Sequence, residues 1–184
     1  MSLAGPLAIL DFWFSETAPE RWFVADPGFD AVIHARFKES WREGREGAFQ
    51  TWSGSRDGAL ALIILFDQFP RNMFRAQAEA FASDAMARIV AREAVERGFD
   101  LEVPASARSF FYLPFMHSED MDDQESCLRL TRERLGETHF SYPYALKHRD
   151  VIAAFGRFPA RNAALQRTST PEETAFLRAN PIGF

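Results

Sequence analysis

Two short stretches of this chain carry residue types that could hold an anion. The first is Ile63-x-x-Phe66-x-x-Phe69-Pro70-Arg71-Asn72, and the second is Ile152-x-x-Phe155-x-x-Phe158-Pro159-Ala160-Arg161-Asn162. A guanidinium presents a planar fork of donors that matches a carboxylate or phosphate, and Asn tolerates a left-handed backbone and caps a following segment. If both Arg-Asn pairs face one cavity, the expected ligand is a small anionic molecule or the carboxyl end of a peptide. The plainer reading is punctuation. In both copies a helix with apolar residues three apart runs into a Pro that cannot continue the hydrogen-bond ladder, and the Arg packs on Phe or pairs with an acid. Asp67 illustrates this, because an acid in the last turn of a helix opposes the dipole and Arg71 is a ready partner.

His148 is the most informative titratable group. Tyr144, His148, Val151, Ile152 and Phe155 share one helical face, so the imidazole is expected to point toward apolar neighbours. It is then either a core His bonded to a carbonyl or carboxylate, or a pocket base with a pKa near neutrality. With an acid such as Glu119 or Asp67 it would support a hydrolase or lyase. His117 precedes Ser118 and the acidic run Glu119, Asp120, Asp122, Asp123 and Glu125, which reads most simply as a solvated helix start. No His pair at i and i+4 supplies a local metal site, so neither metal nor cofactor is expected; only convergence of His117, Glu119 and His148 would assemble one. Lys147, Arg149, Arg157, Arg161 and Arg167 make a basic stretch that either balances the acids or lines an anion pocket. No Gly-rich phosphate loop, nucleophile elbow or Cys/His signature marks a named enzyme class.

The elements that must position these groups read as helices. Asp26-Pro27 is a helix start with Asp as cap and Pro at the first position, followed by Ile33, Phe37, Trp41, Ala48 and Trp52 on one face. The run Ala59 to Phe66, rich in Ala and Leu, is a buried helix extending to Phe69. A helix over Ala78–Arg97 turns Phe81, Ala85, Ile89 and Val90 inward. Ser106 caps a short aromatic helix ending at Pro114, and Ser118 caps another with Met121, Leu128 and Leu135 inward. Helices over Tyr142–Phe155, with Tyr144 inward, and from the Thr170-Pro171-Glu172-Glu173 capping box complete the chain. No convincing β-hairpin signal occurs. An all-α domain of about seven to eight antiparallel helices is expected, spanning residues 1–184 as a single unit.

Composition narrows the partners. The 184 residues are 47% hydrophobic and 26% charged, which is ordinary for a globular chain, while 19 Phe and 4 Trp call for an aromatic core. A net charge of −5 disfavours nucleic acid. The lone Cys127 excludes an internal disulfide and is read as a buried apolar residue, which suits a reducing cytoplasm. Residues 1–10 lack a basic n-region, and the longest apolar run, Ala59 to Phe66, is far short of the ~20 residues that cross a bilayer, so neither a leader nor a membrane partner is expected.

Asp67-Gln68-Phe69-Pro70-Arg71-Asn72, Phe111-Tyr112-Leu113-Pro114, His117-Ser118-Glu119 and Phe155-Gly156-Arg157-Phe158-Pro159 with Arg161-Asn162 together resemble a bacterial family, the domain-of-unknown-function family 924. The resemblance runs from Asp11-Phe12-Trp13-Phe14 through Ser169-Thr170. It implies an α-α superhelix similar to tetratricopeptide-repeat proteins and no established activity, cofactor or catalytic residue. Ala160 stands where that family commonly has His, and Gln166 where it has Gly. The expected ligand site draws on Asp67, Arg71, Asn72, His117, Glu119, His148, Arg157, Arg161 and Asn162. A catalyst built on His148 and a protein-interaction scaffold are the alternatives. The two Phe-Pro corners lie much further apart than the ~34-residue tetratricopeptide period, so they join parts of the domain instead of tiling along it.

Overall fold

A computed structural model describes residues 3–180. Met1 and Ser2 of the stretch read for a leader, and residues 181–184 of the expected domain, lie outside the described residues. Every regular element among the described residues is helical, and no strand occurs there. The described residues form two compact units, one holding residues 3–75 together with Glu79–Pro114, the other holding Ala76–Ala78 together with residues 115–180. No helix of the described residues is long and apolar enough to cross a membrane.

The first unit contains α1 (Pro6–Asp11), α2 (Pro27–Arg45), α3 (Arg56–Ile63), α4 (Phe69–Met73), α5 (Asp84–Glu96) and α6 (Ala105–Arg108). Asp26 caps α2, accepting the Gly28 and Phe29 N–H groups at 2.9 and 3.1 Å, with Pro27 where a missing N–H costs nothing. Phe29, Ile33, Phe37 and Trp41 follow at four-residue spacing and are all buried, with α2 packed on α4. The expected continuation through Ala48 and Trp52 does not occur. Gly47 takes a left-handed φ of +94°, which ends the α-helix, and Trp52 lies in a 3-10 turn. Phe12, Phe37 and Phe69 pack against one another with ring centroids 4.5 to 5.9 Å apart, and Trp13 and Trp22, stacked on each other, each meet Phe110 edge to face.

Pro70 does not end its helix. After α3 the chain widens into a π-turn, Ile64–Gln68, and continues as α4 with Pro70 among its first residues. Pro70 has no N–H for the Phe66 carbonyl one turn back. The Ser83 hydroxyl donates to that carbonyl at 2.6 Å and accepts the Trp41 indole N–H at 2.9 Å. Ser83 also separates α5 from the 3-10 turn Ala78–Phe81, so the helix expected over Ala78–Arg97 is broken. On α5 the buried stripe runs through Ala87, Val90, Ala91 and Ala94, which leaves Ile89 60% exposed instead of inward.

The chain passes to the second unit within α7 (Leu113–Met116), which contains Pro114 instead of ending at it, and α6 begins after Pro104 with no cap from Ser106. The second unit holds α8 (Met121–Arg134), α9 (Ser141–Phe155) and α10 (Pro171–Ala179). Asp120, not Ser118, caps α8, accepting the Asp122 and Asp123 N–H groups, while the Ser118 hydroxyl accepts the Asp120 N–H at 3.2 Å. Thr170 and Glu173 form the reciprocal capping box read from the sequence. α8 packs on α9, and Cys127 and Leu130 on the first and Ala145, Val151 and Ile152 on the second are buried. Burial pushes the Cys127 thiol up to about 12, as an inert core cysteine requires. Tyr144 is 53% exposed, because the buried stripe of α9 passes through Ser141, Ala145, His148 and Ile152, one position further on. α9 stops at Gly156, whose φ of +67° and N–H bond to the Ile152 carbonyl close the helix before Pro159 is reached. The Pro is thus the terminator in neither copy.

Ser83→Ala removes the donor to the Phe66 carbonyl and the acceptor for the Trp41 indole, both in a dry region. The expected loss is about 1–3 kcal/mol of unfolding free energy in urea titration, with an unchanged helical circular-dichroism spectrum.

Candidate functional site

The first corner is a knot of buried charge. The Asp67 side chain has no exposure to water, and it lies in the π-turn facing Arg71 at 3.1 Å. Arg71 also donates to the Asp67 carbonyl at 2.6 Å and grips Asp84, the first residue of α5, through two bonds of 3.0 Å. Burial works against the Arg71 cation, but Asp67 and Asp84 outweigh it and its pKa is raised. Gln68 donates its amide to the other oxygen of Asp67 at 2.5 Å. Asn72 donates to Asp30 on α2 at 2.9 Å, and Arg75 holds the same carboxylate. Arg71 and Asn72 therefore tie α4 to α5 and to α2.

The second corner is built from a different set. Arg157 grips Glu173 on α10 through bonds of 2.6 and 2.9 Å and donates to the Thr168 carbonyl. Asn162 donates to Glu173 and to the Ser169 hydroxyl, both at 3.1 Å. Glu173 is 2% exposed, and the Arg157 guanidinium and the Thr170 N–H hold its carboxyl down to about 2. Glu119 accepts two bonds from Arg167, at 2.7 and 2.9 Å, and the Phe158 N–H at 2.8 Å. Burial opposes the charged form of Glu119, and the Arg167 and Phe158 donors outweigh it to leave its pKa lowered.

Around Phe158 the remaining expected residues come together. The Arg161 guanidinium lies 4.5 Å over the Phe158 ring and donates to the His117 carbonyl at 2.8 Å. His148 packs edge-on against the same ring at 5.5 Å, and its imidazole lies 6.2 Å from that of His117. The Nδ1 atom of His148 meets the Tyr144 carbonyl at 2.8 Å, one turn back on α9. A carbonyl can only accept, so this nitrogen carries a proton. No group of three or more His, Cys, Asp or Glu among the described residues is arranged to hold a metal ion.

Sequence spacing named Arg71 with Asp67 as its partner, a pair the structure forms at 3.1 Å, and named Arg157, but not Asp84 or Glu173 as the acids they also hold. Asp84 and Glu173 each sit in the first turn of another helix, and an acid there reads as a dipole partner with no pointer to a distant Arg. Asp30 and Ser83 carry no signal beyond their polarity. Asp100, wholly buried and bonded to the Tyr112 hydroxyl at 2.5 Å, was equally silent. Of the two departures from the family pattern, Ala160 is exposed, and Gln166 takes a left-handed φ of +54°, the conformation for which Gly is suited.

A model for bacterial proteins of unknown function, family DUF924, matches residues 9–180, and the chain belongs to that family. A solved structure of a protein of unknown function from Agrobacterium tumefaciens is similar at 40% identity and a TM-score of 0.88, covering 94% of this chain and 96% of that one. No curated protein sequence matches the chain.

Two outcomes follow from these knots. Arg71→Ala leaves Asp67 and Asp84 as buried acids without their guanidinium and is expected to cost about 3–5 kcal/mol, measured by chemical denaturation, with Arg71→Lys recovering part of it. Glu173 has a folded pKa of about 2 against an ordinary 4.5, so its stabilising contribution is complete above pH 4.5 and fades as the pH falls toward 2. Glu173→Gln is therefore expected to melt lower than the parent at pH 7, with the gap closing toward pH 2 in scanning calorimetry.

Proposed function

We propose that this protein binds a small anion bearing a carboxylate or phosphate at the second corner, through Arg161 with His117 and His148 around the Phe158 ring. The observation that carries the reading is the stacking of the Arg161 guanidinium on Phe158 beside two imidazoles. Stacking on a ring leaves one face poorly hydrated and fixes the plane of the fork, which lowers the cost of ordering it around a ligand.

In this reading Arg157, Asn162, Glu119 and Arg167 brace the corner, and Asp67, Arg71 and Asn72 brace the first unit. A hydrolase or lyase resting on His148 with Glu119 draws less support, because Arg167 and the Phe158 N–H together hold Glu119 as a carboxylate. An interaction scaffold rests on likeness of fold alone.

The test is thermal shift and titration calorimetry with phosphate, acetate, succinate and a short peptide with a free carboxyl end, at pH 7. At least one anion is expected to raise the melting temperature, and Arg161→Gln to abolish the rise. Absence of stabilisation by any of these anions, or an undiminished rise in Arg161→Gln, overturns the reading.

A further inference from the structure

We propose a second ligand site in the first unit, a groove at the C-terminal end of α2 that takes a small molecule with an apolar body and a protonated amine. The groove encloses about 430 Å³, within the range of small-molecule sites. Phe49, Leu62, Phe66 and Val90, all buried, form its apolar wall, and the exposed side chain of Ile89 stands at its margin. Gly44 lets the Phe66 and Phe49 rings lie close over the α2 backbone at this end, since a Cβ there would stand 3.0 Å from the one and 3.1 Å from the other.

The charge around the groove selects the head group. Glu93 lies in the wall half-buried and takes no ion pair or hydrogen bond from the described residues through its carboxylate. Glu46 follows the last residue of α2 and adds a second acid at the same end. The carbonyl end of a 19-residue helix contributes negative potential there as well. Arg45 of the lining lies over the Trp41 ring at 4.7 Å, and Arg97 is turned to the Ser53 carbonyl at the edge, to which it donates at 3.2 Å. An ammonium beside Glu93 would meet a charge-assisted partner, whereas a carboxylate would meet two acids and a helix C-terminus. This site shares no residue with the second corner, and its success or failure is independent of the anion reading.

The test is titration calorimetry of the whole protein with n-octylamine, n-octanol and octanoate at pH 7, below their aggregation thresholds. Trp52 provides a second readout, because it stacks on the groove residue Phe49 at 4.1 Å; Trp52→Phe identifies its share of the emission change. The amine is expected to bind saturably and on the order of ten-fold more tightly than the alcohol, with octanoate weakest. Glu93→Gln should bring amine and alcohol level, and Ile89→Lys, at an exposed position that leaves the core intact, should weaken the amine further. Equal binding of amine and alcohol, preference for octanoate, an amine preference that survives Glu93→Gln, or no saturable binding each overturns the proposal.

Discussion

A carboxylate held entirely out of water sets the terms for the first unit. An isolated ionised Asp in such a place would cost several kcal/mol, so Asp67 can remain charged only if a cation and further donors reach it. Arg71 and Gln68 do so from neighbouring turns of the same segment, and Arg71 then carries the constraint outward to Asp84. That second grip fixes where α5 begins. Asn72, next along the chain, extends the same logic to Asp30 and α2. One buried charge thereby coordinates three helices that apolar packing alone would leave free to slide.

The second unit repeats the strategy with other residues. Glu173 has almost no exposure, and Arg157, Asn162 and the Thr170 N–H converge on it, so the capping box of α10 is also the anchor for the segment after α9. Glu119 does the same for Phe158, using its carboxylate to satisfy a backbone N–H outside any helix. These contacts divide the residues singled out from the sequence by role. Arg71, Asn72, Arg157 and Asn162 are braces whose partners are acids of the chain itself. Arg161 and His148 pack on the Phe158 ring, with His117 next to His148 and its carbonyl bonded to Arg161.

What the sequence disclosed depended on the range over which the information is carried. Asp26-Pro27 and the Thr170–Glu173 box were legible because a cap and its donors lie within four residues. The all-helical class was legible because apolar spacing repeats over several turns. The inward face was legible only to within one residue: Tyr144 and Ile89 sit beside the true stripes, and a step of about 100° moved both into solvent. Asp67 was legible as a partner of Arg71 because the two lie four residues apart, whereas Asp84 and Glu173 were not legible as partners of Arg71 and Arg157, because they belong to other helices and their local context already accounted for them. The Ser83 hydroxyl had no signature at all, since its task is created by a proline on another element.

The two corners share their apolar spelling and Arg-Asn pair yet fold differently, and the residue following the second apolar position decides which way each goes. After Phe66 comes Asp67, which can sit inside a helix provided its charge is met; the chain widens by one residue into a π-turn and runs on through Pro70. After Phe155 comes Gly156, which adopts the left-handed conformation without the penalty a Cβ would bring, and α9 ends there. Because α9 has already stopped, Phe158 and Pro159 lie in extended and 3-10 backbone, and the Phe158 ring is presented to Arg161 and His148 instead of continuing a helical stripe. In the first copy the corresponding Phe69 stays helical and joins the aromatic core with Phe37 and Trp13. The same words therefore make a core element in one unit and an aromatic platform for basic groups in the other.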